Sequence, residues 1–287
     1  MKVAVIDTGG GYRGVYAAGV LDSCIEMGIT FDAGIGISAG AANIISFAAG
    51  QKGRNLTFYS VYGQRREYKS IYNIRKKHCI IDLDYIYGTL SREDGENPLD
   101  FDAVINNKME LYFLTTDALT GSSVYFTKDD LVRNDYCILK ASCAIPVATP
   151  AQKIYGGKCY YYDGALASPV PIGKAWELGC DAVILLLSRP ISQPKKRGAD
   201  ALLARCIQRR FCASACRLLS RAERYNKGVQ EALRLQAQGK LLIVAPSDTY
   251  GVNTLSGKPK ELNRLYLAGR RDAAAIKTFL HQIQSPL

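Results

Sequence analysis

Lys2-Val-Ala-Val-Ile-Asp-Thr-Gly-Gly-Gly-Tyr-Arg-Gly14 opens the chain. Phe31-Asp-Ala-Gly-Ile-Gly-Ile-Ser-Ala-Gly40 repeats its plan of an apolar run followed by a turn built on glycine. The first run, Lys2 to Asp7, is short and β-branched, as a buried strand requires. From Gly14 to Met27 the apolar residues Val15, Ala18, Val20, Leu21, Cys24 and Ile25 recur at helical spacing, and Gly28 supplies a stop. Phe31 to Ile37 reads as a second strand and Ala39 to Ala49 as a second helix, closed by Gly50. Strand, helix, strand, helix in such quick succession predicts an α/β protein with a parallel sheet.

Farther along, residues 52–108 read as an irregular, basic excursion rich in Tyr and Asp that caps the sheet. Leu111 to Thr116 and Val124 to Thr127 read as strands around the turn Thr120-Gly-Ser-Ser123, and Lys158 to Tyr162 as another. A helix over Ile172 to Leu178 leads into an apolar strand, Ala182 to Leu187. A long helical region over 199–238, of one helix or two, a strand over Leu241 to Ala245 and a closing helix over Leu262 to Ile283 complete the chain. No repeat, low-complexity tract or linker interrupts it, so residues 1–287 are expected to form one domain.

Apolar residues make up 48% and charged residues 22% of the 287, which excludes a disordered chain. The net charge of +11 favours anionic partners or surfaces. It is concentrated: residues 52–77 carry eight Lys/Arg against one Glu, and residues 195–234 carry eleven against three acids. Nine Cys without any CxxC, and only two His (His78 and His281), argue against both a zinc site and a disulfide framework and fit a reducing cytoplasm. Met1 to Asp7 is too short an apolar stretch for a signal peptide. Ala33 to Gln51 is uncharged, but its Gly, Ala, Ser and Asn make it a buried strand–turn–helix rather than a membrane span.

Gly36-Ile-Ser-Ala-Gly40 matches G-x-S-x-G between a strand and a helix. There a sharp turn with small flanking residues lifts the serine hydroxyl above the sheet edge. Ser38 is thus a candidate nucleophile. The earlier turn, Gly9-Gly-Gly-Tyr-Arg-Gly14, admits two readings. As Gly9-x-Gly11-x-x-Gly14 it fits a dinucleotide fingerprint, with Asp32 near the ribose position. As three glycines beside a nucleophile elbow it fits an oxyanion hole, and the elbow tips the choice. The order Ser, Asp, His would permit His281 as base, yet it lies in an apolar-periodic helix near the chain end, and His78 sits in a Lys-rich stretch. The remaining possibility is a carboxylate acting directly on the serine, and Asp163-Gly-Ala165 follows a short strand.

Taken in order, Gly9-Gly-Gly-Tyr-Arg-Gly14, Gly36-Ile-Ser-Ala-Gly40 and Asp163-Gly-Ala165 resemble the motifs of the patatin-like phospholipase family. Ser142-Cys-Ala-Ile-Pro146 and Ser168-Pro-Val-Pro171 add to the similarity, which spans residues 2–190. The resemblance implies a three-layer α/β/α fold with a mostly parallel central sheet. It also implies a Ser–Asp dyad that needs no cofactor, metal or catalytic His. Carried over by position, Ser38 attacks an ester carbonyl and Asp163 accepts its proton. An aspartate at its reference pKa of about 3.9 is ionised at pH 7. Gly10 and Gly11 offer amides to the oxyanion. Arg13 either contacts a head-group phosphate or braces the loop. Gly9, Gly14, Gly36, Gly40, Gly164 and Ala165 serve backbone geometry. Residues 191–287 resemble the family only loosely and read as a helical, basic elaboration.

In that elaboration Leu203, Ile207, Phe211 and Leu218 are expected on one helix face and Arg205, Arg209, Arg217 and Arg221 on another. A basic amphipathic helix suits the inner face of an anionic membrane, where a lipid ester would be the substrate. No nucleic-acid motif accompanies the charge, so no nucleic-acid partner is expected. The alternative left open is a non-catalytic lipid- or membrane-binding protein on the same fold.

Overall fold

Alternation along the first apolar run gives a strand, β1 (Val3–Asp7), that is covered on both faces. Val3 and Val5 enter one hydrophobic cluster, Ala4 and Ile6 another, and all four are buried. The computed structural model describes residues 1–284. Its strands are β1, β2 (Ala33–Ile37), β3 (Glu110–Asp117), β4 (Ser123–Thr127), β5 (Tyr161–Asp163), β6 (Ala182–Leu186) and β7 (Leu241–Val244). They form one sheet in the order β4-β3-β2-β1-β6-β7, with β5 also paired to β3. The pairings β2–β1, β1–β6, β6–β7 and β2–β3 are parallel; only β4 and β5 run antiparallel to β3. Parallel strands covered on both faces need apolar side chains throughout, and β1, β2 and β6 are buried at every position.

The first six helices are α1 (Val15–Glu26), α2 (Ala39–Ala48), α3 (Arg54–Ser60), α4 (Ile71–Lys77), α5 (Phe101–Asn106) and α6 (Cys137–Ser142). They are followed by α7 (Ile172–Glu177), α8 (Asp200–Ile207), α9 (Cys212–Ala237), α10 (Pro259–Asp272) and α11 (Ala274–Gln284). Helices α1, α2, α10 and α11 pack in the cluster on one face of the sheet, and α7 with the C-terminal half of α9 in the cluster on the other. Three layers result, α/β/α, with a mostly parallel centre.

Three expectations change. Residues 52–108 are not irregular: α3, α4, α5 and a π-turn over Tyr85–Leu90 lie there. The closing helix divides into α10 and α11 at Ala273, while the region 199–238 takes the two-helix form, α8 and α9, with its break after Ile207. The single basic face with Arg205, Arg209, Arg217 and Arg221 therefore does not form, since the break separates the first two from the rest and turns Arg221 inward to Asp200.

Candidate active site

Strand register brings the site together. Asp7 at the end of β1 pairs with Gly36 of β2 and with Leu186 of β6, so the loops after these strands leave the same edge side by side. Ligand sites in open α/β sheets lie at that carboxyl edge. Ile37 pairs with Leu114 of β3, and Thr115, the next residue along, pairs with Asp163 of β5. The serine after β2 and the aspartate closing β5 thus meet one strand apart.

Ser38 sits at the tip of the elbow with φ 56° and ψ −130°, a left-handed backbone that a residue other than glycine adopts only under constraint. The constraint is visible. Its amide donates to Ser142 Oγ at 3.0 Å, and that hydroxyl donates to the Leu114 carbonyl at 2.7 Å. The flanking glycines let the turn close: a β-carbon at Gly36 would lie 2.5 Å from Ala41 Cα, and one at Gly40 would lie 2.3 Å from the Asp7 carbonyl. Helix α2 starts directly behind the serine.

Asp163 is buried, with 4% of its surface exposed. Its amide donates to the Ala144 carbonyl at 2.9 Å, its carbonyl accepts from Thr116 Oγ1 at 2.8 Å, and its Oδ1 accepts from the Ala165 amide at 2.8 Å. Gly164 passes against β3 so closely that a β-carbon would lie 2.3 Å from the Leu114 carbonyl. Burial pushes the Asp163 carboxyl above its ordinary value; the nearby Ser38 hydroxyl, the Ala165 amide and the charges of Arg221 and Lys195 pull it back. The expected reference pKa is thus corrected upward, which makes the carboxylate a stronger base. The Ser38 hydroxyl lies near enough to Asp163 to favour its charged form, the proximity that proton transfer between them requires.

The glycine loop crosses in front of the elbow. Gly9, Gly10 and Gly11 have φ of 64°, 127° and 62°, and a β-carbon at Gly9 would lie 2.2 Å from the Ile37 carbonyl. The Gly9 amide donates to Asp7 Oδ1 at 2.8 Å, whereas the Gly10 and Gly11 amides have no acceptor among the described residues. Asp7 and Asn43 brace this loop: Asn43 Nδ2 donates to Asp7 Oδ2 at 2.8 Å and to the Gly14 carbonyl at 2.9 Å. Burial raises the Asp7 carboxyl to about 6. From the C-terminal region the Thr254 carbonyl accepts the Tyr12 amide at 3.1 Å.

Two cavities meet at Ser38, and Ser38, Gly11, Ile145 and Thr254 line both. One is walled by Phe58, Tyr68, Ile81, Leu83, Ile86 and Leu90, all from the excursion after α2. The other contains Gly9, Gly10, Arg13 and Asp163 and is ringed by Arg189, Lys195 and Arg221. All five residues expected to act on substrate therefore border one space.

Other expectations fall elsewhere. Asp32 accepts the Val3 amide at 2.6 Å, at the opposite end of β1 from the glycine loop, so it cannot reach a ribose held there. His78 and His281 are exposed, and neither lines a cavity containing Ser38. Sequence reasoning missed Asp7, Asn43, Lys195 and Arg189. Asp7 alone carries a local signal, an acid closing a strand two residues before the glycines. Cys143 also faces Ser38, but burial pushes its thiol up to about 12, so it stays protonated and is no rival nucleophile.

Comparison with known proteins places this chain beside several others. The family model for a domain of unknown function (DUF6363) matches residues 215–284. Among curated proteins, the uncharacterized protein YjjU of Escherichia coli (strain K12) is 25% identical over 193 residues, covering 66% of this chain and 52% of YjjU. The chain therefore spans about half the length of that relative. Among solved structures, VipD from Legionella pneumophila is similar at 11% identity with a TM-score of 0.47, covering 96% of this chain and 66% of VipD. The family model for patatin-like phospholipase matches residues 8–176, more than half the chain, and takes in the glycine loop, the elbow and the aspartate together. The chain belongs to the patatin-like phospholipase family.

Proposed function

We propose that the protein hydrolyses carboxylic esters of phospholipids or lysophospholipids through Ser38 and Asp163. The observation that carries this is the position of Ser38: on a strained elbow, against a buried carboxylate, at the seam of an apolar cavity and a cationic one. The acyl chain occupies the apolar cavity, which puts the ester carbonyl beside the serine.

Ser38 Oγ attacks the carbonyl carbon while its proton passes to Asp163. The carbonyl oxygen becomes an oxyanion that the Gly10 and Gly11 amides bind. The bond to the alcohol oxygen breaks, Asp163 returns the proton to that oxygen, and an acyl-Ser38 ester remains. Water then attacks the acyl carbon, giving its proton to Asp163. The carbon–Oγ bond breaks, the proton returns to Ser38, and the fatty acid leaves. A raised Asp163 pKa helps both proton transfers, because a base nearer the working pH accepts more readily.

Such a substrate is presented at a lipid surface, and α4 fits that setting. Ile71 is 82% exposed and Tyr72 61%, beside Arg75, Lys76 and Lys77 in the same short helix. An exposed apolar pair next to basic residues suits an anionic interface. Among the described residues, no helix is long and apolar enough to cross a membrane.

The test is hydrolysis of p-nitrophenyl butyrate by wild type, Ser38→Ala and Asp163→Asn. Wild type turns over, and both variants lose about 10³-fold or more in kcat. Undiminished turnover by Ser38→Ala refutes the proposal.

A further inference from the structure

The cationic cavity holds more charge than the ester chemistry needs. Asp163 and the oxyanion amides account for every step above, yet Arg13, Arg189, Lys195 and Arg221 surround the same space. Arg221 is neutralised by Asp200, its Nε donating to Oδ2 at 3.1 Å. Among the described residues, Arg13, Arg189 and Lys195 have no carboxylate partner, and Arg13 Nε is buried with no hydrogen bond at all. Cations withdrawn from water and crowded together are unfavourable unless an anion joins them. Two of them bear the consequence: burial, then the charges of neighbouring arginines, lowers Lys195 to about 7, and burial lowers Arg13 to about 10.

The arrangement is also held in place. The ring of Tyr225 on α9 lies 5.6 Å from Lys195 Nζ and 5.8 Å from the Arg189 guanidinium carbon. The chain at Lys195 is clamped to the same helix by Asn226, whose Oδ1 accepts the Lys195 amide at 2.8 Å and whose Nδ2 donates to its carbonyl at 3.0 Å. Lys195, Arg189, Arg221 and Tyr225 all lie beyond the stretch matched to the catalytic family, and Arg221 and Tyr225 fall inside the domain of unknown function.

We propose that the C-terminal region completes the active site as an anion subsite that seats a phosphate monoester on the alcohol side of the scissile ester. This rests on Ser38 being the nucleophile. The acyl chain takes the apolar cavity, so the alcohol takes the other. Three unpaired cations match a doubly charged terminal phosphate. A choline or ethanolamine head group would bring a fourth cation among them and is disfavoured. The preferred substrate class is thus an acyl ester whose alcohol ends in a phosphate, of which lysophosphatidate is the simplest lipid.

Binding and turnover are measured separately on the full chain. Calorimetric titration with glycerol 3-phosphate shows binding to wild type and to Ser38→Ala. Lys195→Met and Arg189→Met each weaken it at least about tenfold, the scale of a charge-assisted hydrogen bond, while Lys195→Arg retains it. In turnover, wild type prefers lysophosphatidate over both monoacylglycerol and lysophosphatidylcholine by more than about tenfold in kcat/KM. Lys195→Met collapses that ratio, whatever it does to the absolute rates. Circular dichroism of each variant reports its folding. No Lys195-dependent binding, or no preference in a wild type that hydrolyses all three esters, overturns the proposal. Tight binding of inorganic phosphate that Lys195→Met abolishes, with the substrate ratio unchanged, marks a free-phosphate site and overturns it too. Lys195-dependent binding of glycerol 3-phosphate by a wild type that cleaves no ester supports the anion subsite while sinking the hydrolase function.

Discussion

Gly10→Ala is the sharpest probe of the oxyanion loop. Gly10 has φ 127°, and a β-carbon there would lie 2.1 Å from Ser188 Oγ and 3.0 Å from Ser188 Cβ. The backbone conformation alone costs about 1–3 kcal/mol for alanine. At about 2–4 °C per kcal/mol for a chain of this size, Tm falls by about 2–12 °C. Relieving the overlap moves the loop by about 1 Å, which takes the Gly10 amide outside the 2.7–3.1 Å reach of an oxyanion. Losing one such donor lowers kcat about 10²–10³-fold with KM changed far less. The assay is steady-state hydrolysis of p-nitrophenyl butyrate beside a thermal melt. Adding Ser188→Ala to Gly10→Ala recovers part of the Tm but little of the kcat. A folded Gly10→Ala protein with kcat within threefold of wild type refutes the oxyanion role of this loop.

Further outcomes are expected. Asp163 must be ionised to act as base, so kcat/KM rises with pH through a value above the ordinary carboxylate range. The same raised pKa makes the contribution of Asp163 to stability greatest at low pH and diminishes it as pH rises through the folded value, so Asp163→Asn, which removes the buried charge, removes that contribution from thermal melts at several pH values. His281→Ala retains activity within twofold; a loss above about 10³-fold in the ester assay returns the base to a histidine. Sulfate, whose charge is constant near neutrality, binds more weakly by calorimetry as pH rises through about 7 and Lys195 loses its proton; Arg13, Arg189 and Arg221 favour that loss, Asp200 opposes it, and Tyr225 is the neutral floor. Ile71→Asp with Lys76→Glu lowers co-sedimentation with phosphatidylglycerol vesicles several-fold; unchanged sedimentation removes α4 from the lipid interface.

The parts of the site that were legible in the sequence are local. Val3 to Asp7, the three glycines and Gly36 to Gly40 each announce a strand and its turn within a dozen residues, because β-branching, backbone freedom at glycine and helical spacing all act at short range. Helices α3, α4 and α5 escaped detection because six or seven residues do not repeat a face often enough to show a period. The break between α8 and α9 falls at Gln208 to Phe211, which contains neither Pro nor Gly. Arg221 looked like one arginine among several at fourfold spacing, and only its contact with Asp200 turns it toward the site. The cationic cavity joins Arg13 to residues from Arg189 onward, a juxtaposition made by the β1–β6 pairing and invisible to any local pattern.

The most direct measurement is mass-spectrometric mapping of the adduct left by a fluorophosphonate probe. If Ser38 is the activated nucleophile, one probe per chain attaches to Ser38, and Asp163→Asn slows labelling by orders of magnitude. A folded protein that remains unlabelled, or that carries the probe on another residue while Ser38 is untouched, contradicts that role.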